Sequence, residues 1–260
     1  MTEMDGKIGL VTGAASGIGL AAAELLAARG ATVMAADLTP PSPGGSGRSR
    51  VEHVRLDVTD EPAVASAVAQ VIARHGRLDF LVTAAGIQRY GTAADTSATR
   101  WREVMAVNLD GAFHAVKHAL PGLRASGAGA IVLVSSVQAF VTQAGVAAYT
   151  ASKGALNALA RSIAIDEAAN GVRANTVCPG SVDTPMLRRT AAQFSDGSAA
   201  AIDDLVAAWG RSHPLGRVAR PREVAEAIAF LASERASFIT GVALPVDGGL
   251  LAQVAVTLPD

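Results

Sequence analysis

The sequence predicts an α/β fold, in which helices cover both faces of a doubly wound sheet of parallel strands. Short apolar runs alternate with longer Ala- and Leu-rich stretches along the 260 residues, and this alternation is typical of strands joined by helical crossovers. Most of the apolar runs lack alternating polar residues, as expected for strands buried on both faces. Half of the residues are hydrophobic but only 4% are aromatic, so the core must consist mainly of small aliphatic side chains.

Seven strands and five helical stretches follow from this pattern. The predicted strands cover residues 8–12, 32–37, 51–58, 78–83, 130–135, 173–178 and 242–246. The predicted helices cover residues 17–29, 60–75, 97–119, 148–170 and 221–233. Because neither an internal repeat nor a linker interrupts this order, we predict one domain over residues 1–260.

Two segments depart from the rhythm. Residues 39–50 form a Pro/Gly/Ser-rich stretch after the second strand, which we predict to be a surface loop. Residues 181–214 are long, polar and rich in Ala, and they lie between the sixth strand and the next helix. Such a length is unusual for a plain connection and favours a lid over a substrate site.

Composition excludes several classes of partner. The formal net charge is −1 without basic blocks, which argues against nucleic acid. The single cysteine, Cys178, cannot form an intramolecular disulfide and fits a reducing compartment, where we expect it to be an inert core residue. Residues 1–7 do not resemble a signal peptide, and no apolar run reaches the length of a membrane span. We therefore expect a cytoplasmic protein that binds no membrane.

A glycine-rich turn links the first strand to the first helix. It reads Thr-Gly-Ala-Ala-Ser-Gly-Ile-Gly at residues 12–19. Glycines permit a tight turn and let backbone N–H groups approach a pyrophosphate at the start of a helix. The predicted dinucleotide contacts in this turn are Gly13, Ser16, Gly17, Ile18 and Gly19.

Asp37 closes the second strand and predicts the choice of dinucleotide. A carboxylate there can accept hydrogen bonds from the adenosine ribose hydroxyls and repel a 2′-phosphate. Ala14, Ala15 and Leu38 supply no positive charge for such a phosphate, so NAD is favoured over NADP. Arg48 and Arg50, in the following loop, are the local features that favour NADP.

Tyr149, Lys153 and Ser136 form a candidate catalytic group. Tyr149 and Lys153 are four residues apart on a predicted helix and therefore share one face. A neighbouring ammonium favours the phenolate form of a tyrosine, which otherwise is a poor base at neutral pH. Ser136 follows the fifth strand, at the sheet edge where ligands bind, and its hydroxyl could hold a substrate oxygen.

These motifs together resemble the short-chain dehydrogenase/reductase family along essentially the whole chain. The resemblance rests on the turn at 12–19 and on Asp57-Val58, Val107-Asn108-Leu109, Ser136, Tyr149-Thr-Ala-Ser-Lys153, the Pro-Gly-Ser-Val-Asp-Thr run at 179–184 and the Val-Asp-Gly-Gly run at 246–249. It implies a Rossmann-like sheet ordered 3-2-1-4-5-6-7 and an NAD(P)-dependent alcohol dehydrogenase or ketone reductase. A homotetramer is also implied, in which the helices at 97–119 and 148–170 pair across a two-fold axis and the tail at 250–260 reaches a neighbouring subunit.

The resemblance also implies roles for individual residues. Tyr149 would be the general acid/base and Ser136 would orient the substrate oxygen. Lys153 would bind the nicotinamide ribose and lower the tyrosine pKa, and Asn108 would hold a water that connects Lys153 to solvent. Further cofactor contacts would be Asp57 and Val58 at the adenine, Ala84 and Gly86 after the fourth strand, and Val182 and Thr184 at the carboxamide.

One motif departs from the family. The usual Asn-Asn-Ala-Gly after the fourth strand reads Thr83-Ala84-Ala85-Gly86. The first Asn normally ties the central strands together, and threonine has a shorter hydrogen-bonding reach. We therefore expect Thr83 to fill this structural role poorly, without an effect on the chemistry.

Three glutamines lie at positions expected to face the reacting carbon: Gln88, Gln138 and Gln143. A steroid or acyl pocket would show apolar side chains there, because unpaired buried amides are costly. We therefore favour a small, oxygen-rich substrate such as a sugar, a polyol or a hydroxy acid. In the opposite interpretation, these amides face solvent or hold loop backbone.

Two other functions stay open. One is an NADPH-dependent ketoacyl-type or cyclic-ketone reductase, and the other is a non-catalytic binding protein with the same fold. His114 and His118 have the spacing of metal ligands, but no carboxylate is placed with them in the sequence, so we predict no metal site.

Overall fold

A computed structural model describes residues 3–39 and 50–254, and seven parallel strands form one sheet in that part of the chain. The strand order is β3-β2-β1-β4-β5-β6-β7, which confirms the predicted fold class and topology. The order reverses between β1 and β4, so a crevice opens there at the carboxyl edge of the sheet. The strands are β1 (Ile8–Thr12), β2 (Thr32–Asp37), β3 (Val51–Arg55), β4 (Phe80–Thr83), β5 (Ala130–Val134), β6 (Arg173–Pro179) and β7 (Ala243–Val246).

The observed strands match the prediction closely, with small differences at their ends. β3 stops at Arg55, three residues before the predicted end, because Asp57 turns the chain by accepting hydrogen bonds from Thr59. β4 begins at Phe80, since the Asp79 carboxylate already bonds the amide of Ile8 on the neighbouring strand. Strands β1, β4 and β5 are buried at every position, as expected from their unbroken apolar sequences.

Eight α-helices accompany this sheet within the described residues. They are α1 (Gly17–Ala28), α2 (Glu61–His75), α3 (Ala98–Met105), α4 (Gly111–Ala125), α5 (Ala147–Glu167), α6 (Pro185–Gln193), α7 (Ala199–Gly210) and α8 (Pro221–Ala232). The predicted helix at 97–119 is in fact two helices, α3 and α4, joined by a π-helical turn at Ala106–Asp110. Such a turn inserts an extra residue into the helix and is frequent at functional sites.

The core consists of two apolar layers, one on each face of the sheet. Helices α1 and α8 pack on one face and α2, α4 and α5 on the other. Adjacent strand residues contribute to opposite layers: Val11 packs under α1 and α8, whereas Leu10 packs under α2 and α4. Both layers contain mostly Ala, Val, Leu and Ile, as the composition predicts, and they hold the strand ends in a fixed arrangement.

The predicted lid at 181–214 contains two helices, α6 and α7, that the sequence interpretation did not include. Each has a helix-start residue that can be recognised in the sequence. Thr184 accepts a hydrogen bond from the amide of Leu187 and is followed by a proline at the first helical position, whereas Ser198 caps α7 by accepting from the amide of Ala201. The connection is therefore an ordered pair of helices beside the carboxyl edge of the sheet.

The remaining segments lie at the edges of the fold. Of the predicted 39–50 loop, residues 40–49, including Arg48, lie outside the described residues. Residues 255–260 of the predicted tail lie outside them too, and the part before them folds onto its own chain, where the Gln253 amide donates to the carbonyl of Ser212. Among the described helices, none combines the length and apolar character that a membrane span requires.

Candidate active site

A cavity of about 1040 Å³ opens at the carboxyl edge of the sheet. Residues that follow all seven strands line it, together with the lid helices α6 and α7. The cavity brings together all the predicted site residues except Asn108, in this order along the chain: Gly13, Ser16, Gly17, Ile18, Gly19, Asp37, Asp57, Val58, Ala84, Gly86, Gln88, Ser136, Gln138, Gln143, Tyr149, Lys153, Val182 and Thr184. The convergence follows from the parallel sheet, in which consecutive strands end at the same edge.

The glycine-rich turn forms a tight wall that side chains would block. A Cβ on Gly13, whose φ is +68°, would lie 2.4 Å from the amide nitrogen of Ala85. A Cβ on Gly19 would lie 2.1 Å from the Gly13 carbonyl oxygen. Ser16 precedes α1 in an extended conformation without a capping hydrogen bond, and the first turn of α1 contains no acidic residue. The turn thus suits the binding of a pyrophosphate to the N-terminus of α1.

Asp37 stands at the end of β2 beside this turn. One carboxylate oxygen accepts a hydrogen bond from the amide of Ala15 at 2.9 Å, and the other accepts from the amide of Thr39 at 3.3 Å. These bonds fix the carboxylate at the cavity wall and place a negative charge there. Arg50, by contrast, donates to the carbonyl of Gly30. Gly30 precedes β2, so the Arg50 guanidinium lies at the opposite edge of the sheet from the cavity.

Asp57 and Val58 form the adjacent wall, after β3. Hydrogen bonds from the side chain and the backbone of Thr59 hold the pKa of Asp57 below its usual value. Val58 is buried against α4, where a Cβ on Gly111 would lie 2.6 Å from its Cγ2 atom. Gly111 therefore lets α4 approach this wall closely.

At the end of β4, Thr83 stands where the family usually has an asparagine, and the structure shows the expected loss of a hydrogen bond. Thr83 is buried, and its hydroxyl oxygen lacks a hydrogen-bond partner among the described residues. The short side chain thus leaves unfilled the role that an asparagine would have. Ala84 and Gly86 line the cavity, and a Cβ on Gly86 would lie 3.7 Å from the Lys153 ammonium.

Asn108 lies behind the cavity wall, in the π-helical turn. Its amide oxygen accepts from the backbone N–H of Ile87 at 2.8 Å, and its amide nitrogen donates to the Ile87 carbonyl and the Ser152 hydroxyl, both at 3.0 Å. The side chain therefore holds the segment after β4 against α5. The resemblance implies that Asn108 also holds a water that connects Lys153 to solvent, and this role stays a prediction.

Ser136, Tyr149 and Lys153 meet on the opposite side of the cavity. Ser136 accepts a hydrogen bond from the amide of Gln138 at 3.1 Å, which orients its hydroxyl. Tyr149 lies in the first turn of α5 and Lys153 one turn later, where its ammonium donates to the carbonyl of Val134 at 2.8 Å. That ammonium is 5.5 Å from the centre of the Tyr149 ring.

Burial changes the protonation of this group in opposite directions. It raises the pKa of the Tyr149 hydroxyl to about 12, against the effect of its hydrogen bond with Ser136, which lowers it. It lowers the pKa of the Lys153 ammonium to about 8. The Lys153 ammonium is expected to favour the phenolate form of Tyr149, but in this arrangement desolvation dominates the tyrosine pKa. Tyr149 therefore holds its proton at neutral pH, and Lys153 stays mainly charged.

The loop after β6 is fixed by backbone bonds and by a histidine. The Ala219 amide donates to the Ser181 carbonyl, and the Ala219 carbonyl accepts from the Asp183 amide. These two bonds hold Val182, which lies between Ser181 and Asp183, in an extended conformation. His213 is buried and accepts from the Ser181 amide at Nε2, while Nδ1 donates to the Asp247 carbonyl at 2.6 Å. The role of His213 could not be predicted from the sequence, because its partners are 32 and 34 positions away.

The glutamines face a wall of mixed character. The Gln88 amide donates to the Tyr90 hydroxyl at 3.2 Å, and the Gln138 amide oxygen accepts from Thr150 at 3.4 Å. The lid adds several apolar side chains and one cation: Met186, Leu187, Arg189, Phe194, Leu205 and Trp209. The predicted polar character of the cavity is thus correct for the sheet side but not for the lid.

Outside the cavity, the surroundings of His114, His118 and Cys178 bear on whether these residues bind a metal or react. The sequence placed no carboxylate with His114 and His118, but the structure brings the Glu61 carboxylate to 3.1 Å from the His118 Nε2 atom and 3.9 Å from the His114 Nε2 atom. Lys117 also forms an ion pair with Glu61. Within the described residues, no group of three or more side chains is arranged to hold a metal ion. Cys178 is buried, and burial raises the pKa of its thiol, in agreement with a core role.

Comparisons with known proteins agree with this geometry. Residues 13–251 match the family described as "Enoyl-(Acyl carrier protein) reductase". The chain is 42% identical over 252 residues to cis-4-hydroxycyclohexanecarboxylate dehydrogenase of Sinomonas cyclohexanicum, which covers 95% of this chain and 97% of that protein. It is 38% identical to meso-2,3-butanediol dehydrogenase of Serratia marcescens, with 96% of each chain covered. The ligand-free structure of Thermoplasma acidophilum aldohexose dehydrogenase superposes with a TM-score of 0.94 at 38% identity, covering 100% of this chain and 99% of that one.

Proposed function

The chain belongs to the short-chain dehydrogenase/reductase family, and from this premise we propose that it uses NAD to interconvert a secondary alcohol and its ketone. Family membership makes it an oxidoreductase of CH–OH groups with a nicotinamide cofactor. The observation that carries the proposal is the convergence of Ser136, Tyr149 and Lys153 in one cavity with the glycine-rich turn. A non-catalytic binding protein would have no use for this set.

The chemistry needs one hydride and one proton to leave the alcohol. The nicotinamide ring, when bound, supplies the hydride acceptor. The chain itself handles the proton: Ser136 donates a hydrogen bond that positions the substrate oxygen, and Tyr149 exchanges the proton with that oxygen. Because Tyr149 is protonated at neutral pH, it is ready to donate during ketone reduction. Oxidation requires its deprotonated form, so the nearby Lys153 ammonium must stabilise that form as it develops.

Asp37 supports NAD rather than NADP. Its carboxylate is fixed by the amides of Ala15 and Thr39 at the cavity wall, where a 2′-phosphate would meet a like charge. Arg50 lies at the other edge of the sheet and cannot compensate. The alternative, an NADPH-dependent ketoacyl-type or cyclic-ketone reductase, depends on Arg48, which lies outside the described residues. A 3-oxoacyl-[acyl-carrier-protein] reductase of Thermotoga maritima is 34% identical to this chain. The assay below therefore also measures ketone reduction with NADPH.

We propose that the substrate is small and bears oxygen at more than one position. Support comes from the glutamine side chains at the cavity wall and from relatives named for a hydroxycarboxylate, a diol and an aldohexose. Amides both donate and accept hydrogen bonds, which suits several hydroxyl groups. The lid's Leu187, Leu205 and Trp209 add an apolar surface that suits a carbon ring or chain.

A panel of secondary alcohols and ketones tests the proposal. Each compound is assayed with NAD(H) and NADP(H) by the absorbance of the reduced cofactor. We expect turnover of at least one oxygen-rich alcohol, with a higher kcat/KM for NAD than for NADP. Preference for NADP would overturn the assignment of Asp37. Failure of every alcohol and ketone with both cofactors, in a protein that binds NADH, would overturn the proposed activity.

A further inference from the structure

We propose that Arg189 on the lid forms an anion subsite, which binds the carboxylate of a hydroxy acid substrate. This inference rests on the proposed function and narrows the substrate class, since a neutral sugar or polyol has no anionic group to pair with this cation. The cavity lining contains four charged side chains: Asp37 and Asp57 on the cofactor side, the catalytic Lys153, and Arg189. His213 also lines the cavity, but both of its ring nitrogens are bonded to backbone groups.

Among residues 3–39 and 50–254, no carboxylate lies within ion-pair distance of the Arg189 guanidinium. The preceding residue behaves differently: Arg188 pairs with Asp183 at 2.6 Å and Asp203 at 2.9 Å. Successive residues on a helix point about 100° apart, so α6 directs one arginine to its protein partners and the other to the cavity.

The course of α6 places Arg189 between the cofactor turn and the substrate side. At its start, Thr184 approaches the glycine-rich turn, where a Cβ on Gly17 would lie 3.1 Å from the Thr184 methyl carbon. Just beyond its end, the Phe194 ring packs edge-on against Tyr90 at 4.8 Å, and the Tyr90 hydroxyl accepts from Gln88. Arg189 is five residues past Thr184, about 7.5 Å along the helix axis. It therefore lies toward the predicted substrate wall.

The chemistry of the guanidinium specifies the ligand. Its planar fork binds a carboxylate through two parallel charge-assisted hydrogen bonds, which neutral hydroxyls cannot reproduce. Arg189 is exposed and lies at the cavity rim, so an acid end would bind there while the rest of the molecule extends inward. Leu205 and Trp209 on α7 provide apolar lining for the carbon frame. A cyclic or short-chain hydroxy acid fits both features.

The test compares Arg189→Gln with Arg211→Gln, a matched control. Arg211 is also an exposed lid arginine without an ion pair among the described residues, but it does not line the cavity. Both variants lose one positive charge. The substrates are a cyclic hydroxycarboxylic acid and its primary amide, which differ in charge but hardly in shape. Arg189→Gln should lower kcat/KM for the acid by about tenfold or more, mainly through KM, and leave the amide within about twofold.

Two further readouts separate this inference from its alternatives. Arg189→Lys should recover part of the loss, because a charge remains without the fork. Binding of NADH, followed by its fluorescence, should be unchanged in Arg189→Gln. A parallel loss of NADH affinity would assign Arg189 to the cofactor phosphates and overturn the inference.

The outcomes also distinguish this inference from the proposed function. A wild type that oxidises neutral secondary alcohols and prefers the amide to the acid refutes the subsite but leaves the activity in place. The Kd of the corresponding keto acid for the enzyme–NADH complex is measured in the same variants. This measurement tests the subsite even if turnover is absent. Keto acid binding that is equal in wild type and Arg189→Gln refutes it. Absence of turnover with all alcohols refutes the activity alone.

Discussion

Replacement of Thr83 by valine should make this protein more stable. The Thr83 side chain is 4% exposed in β4, and its hydroxyl has no partner among the described residues. A buried polar group without a hydrogen bond costs about 1–3 kcal/mol. Valine has almost the same shape and lacks the hydroxyl, so Thr83→Val should raise the free energy of unfolding by about 1 kcal/mol, and Tm by about 2–4 °C.

Thr176→Val provides the matched control for this measurement. Thr176 is 0% exposed in β6, and its hydroxyl donates to the Asn157 amide oxygen at 2.9 Å. The same substitution there removes a satisfied hydrogen bond and should lower the free energy of unfolding by about 1 kcal/mol. Both variants are measured by urea and thermal unfolding at one protein concentration, because the Tm of an assembled protein depends on its concentration. Thr83→Val that destabilises as much as Thr176→Val would refute the view that the Thr83 hydroxyl is unsatisfied.

Three further predictions concern the cofactor, the substrate and the assembly. Asp37→Ala should weaken NAD binding and lower the ratio of kcat/KM with NAD to kcat/KM with NADP, because ribose hydrogen bonds and a repulsive charge are lost together. An unchanged ratio would contradict this role of Asp37. Gln138→Leu should lower kcat/KM for an oxygen-rich alcohol by about tenfold while sparing a plain cyclic alcohol, and equal losses on both would contradict the glutamine contact. The family resemblance implies a homotetramer, which light scattering should show, and Phe113 on α4 and Ile165 on α5, 47% and 79% exposed, would lie on the helices expected to pair between subunits; a monomer at micromolar concentration would refute this.

The sequence predicts the fold and the main site residues well because both depend on local patterns. Most strands contain a recognisable apolar run, and β2 ends at a recognisable residue, Asp37, whereas β3 also carries charged residues. The parallel topology then brings these ends to one edge without further information. Tyr149 and Lys153 lie on one helix, so their spacing alone places them together. These parts of the site follow from chain order and helix geometry.

Features that depend on tertiary contacts could not be predicted in the same way. The π-helical turn that carries Asn108 has no sequence pattern of its own, and the bonds of Asn108 to Ile87 span 21 positions. Glu61 meets His118 only because α2 packs beside α4. The helices of the lid could have been found from the caps at Thr184 and Ser198, but which of their side chains face the cavity depends on packing.

Tyr149→Phe tests the central claim most directly, with Tyr90→Phe as its control. Tyr90 is the chain's other tyrosine, and its hydroxyl bonds Gln88 at the cavity rather than the catalytic group. Tyr149→Phe should lower turnover of an accepted alcohol by about 10²–10⁴-fold, the usual contribution of general acid–base catalysis, and leave the Kd for NADH nearly unchanged. Tyr90→Phe alters the same cavity wall but removes no group that exchanges a proton with the substrate, so it should lower turnover much less than Tyr149→Phe does. A Tyr149→Phe enzyme that retains a tenth or more of wild-type turnover would show that this hydroxyl does not move the proton.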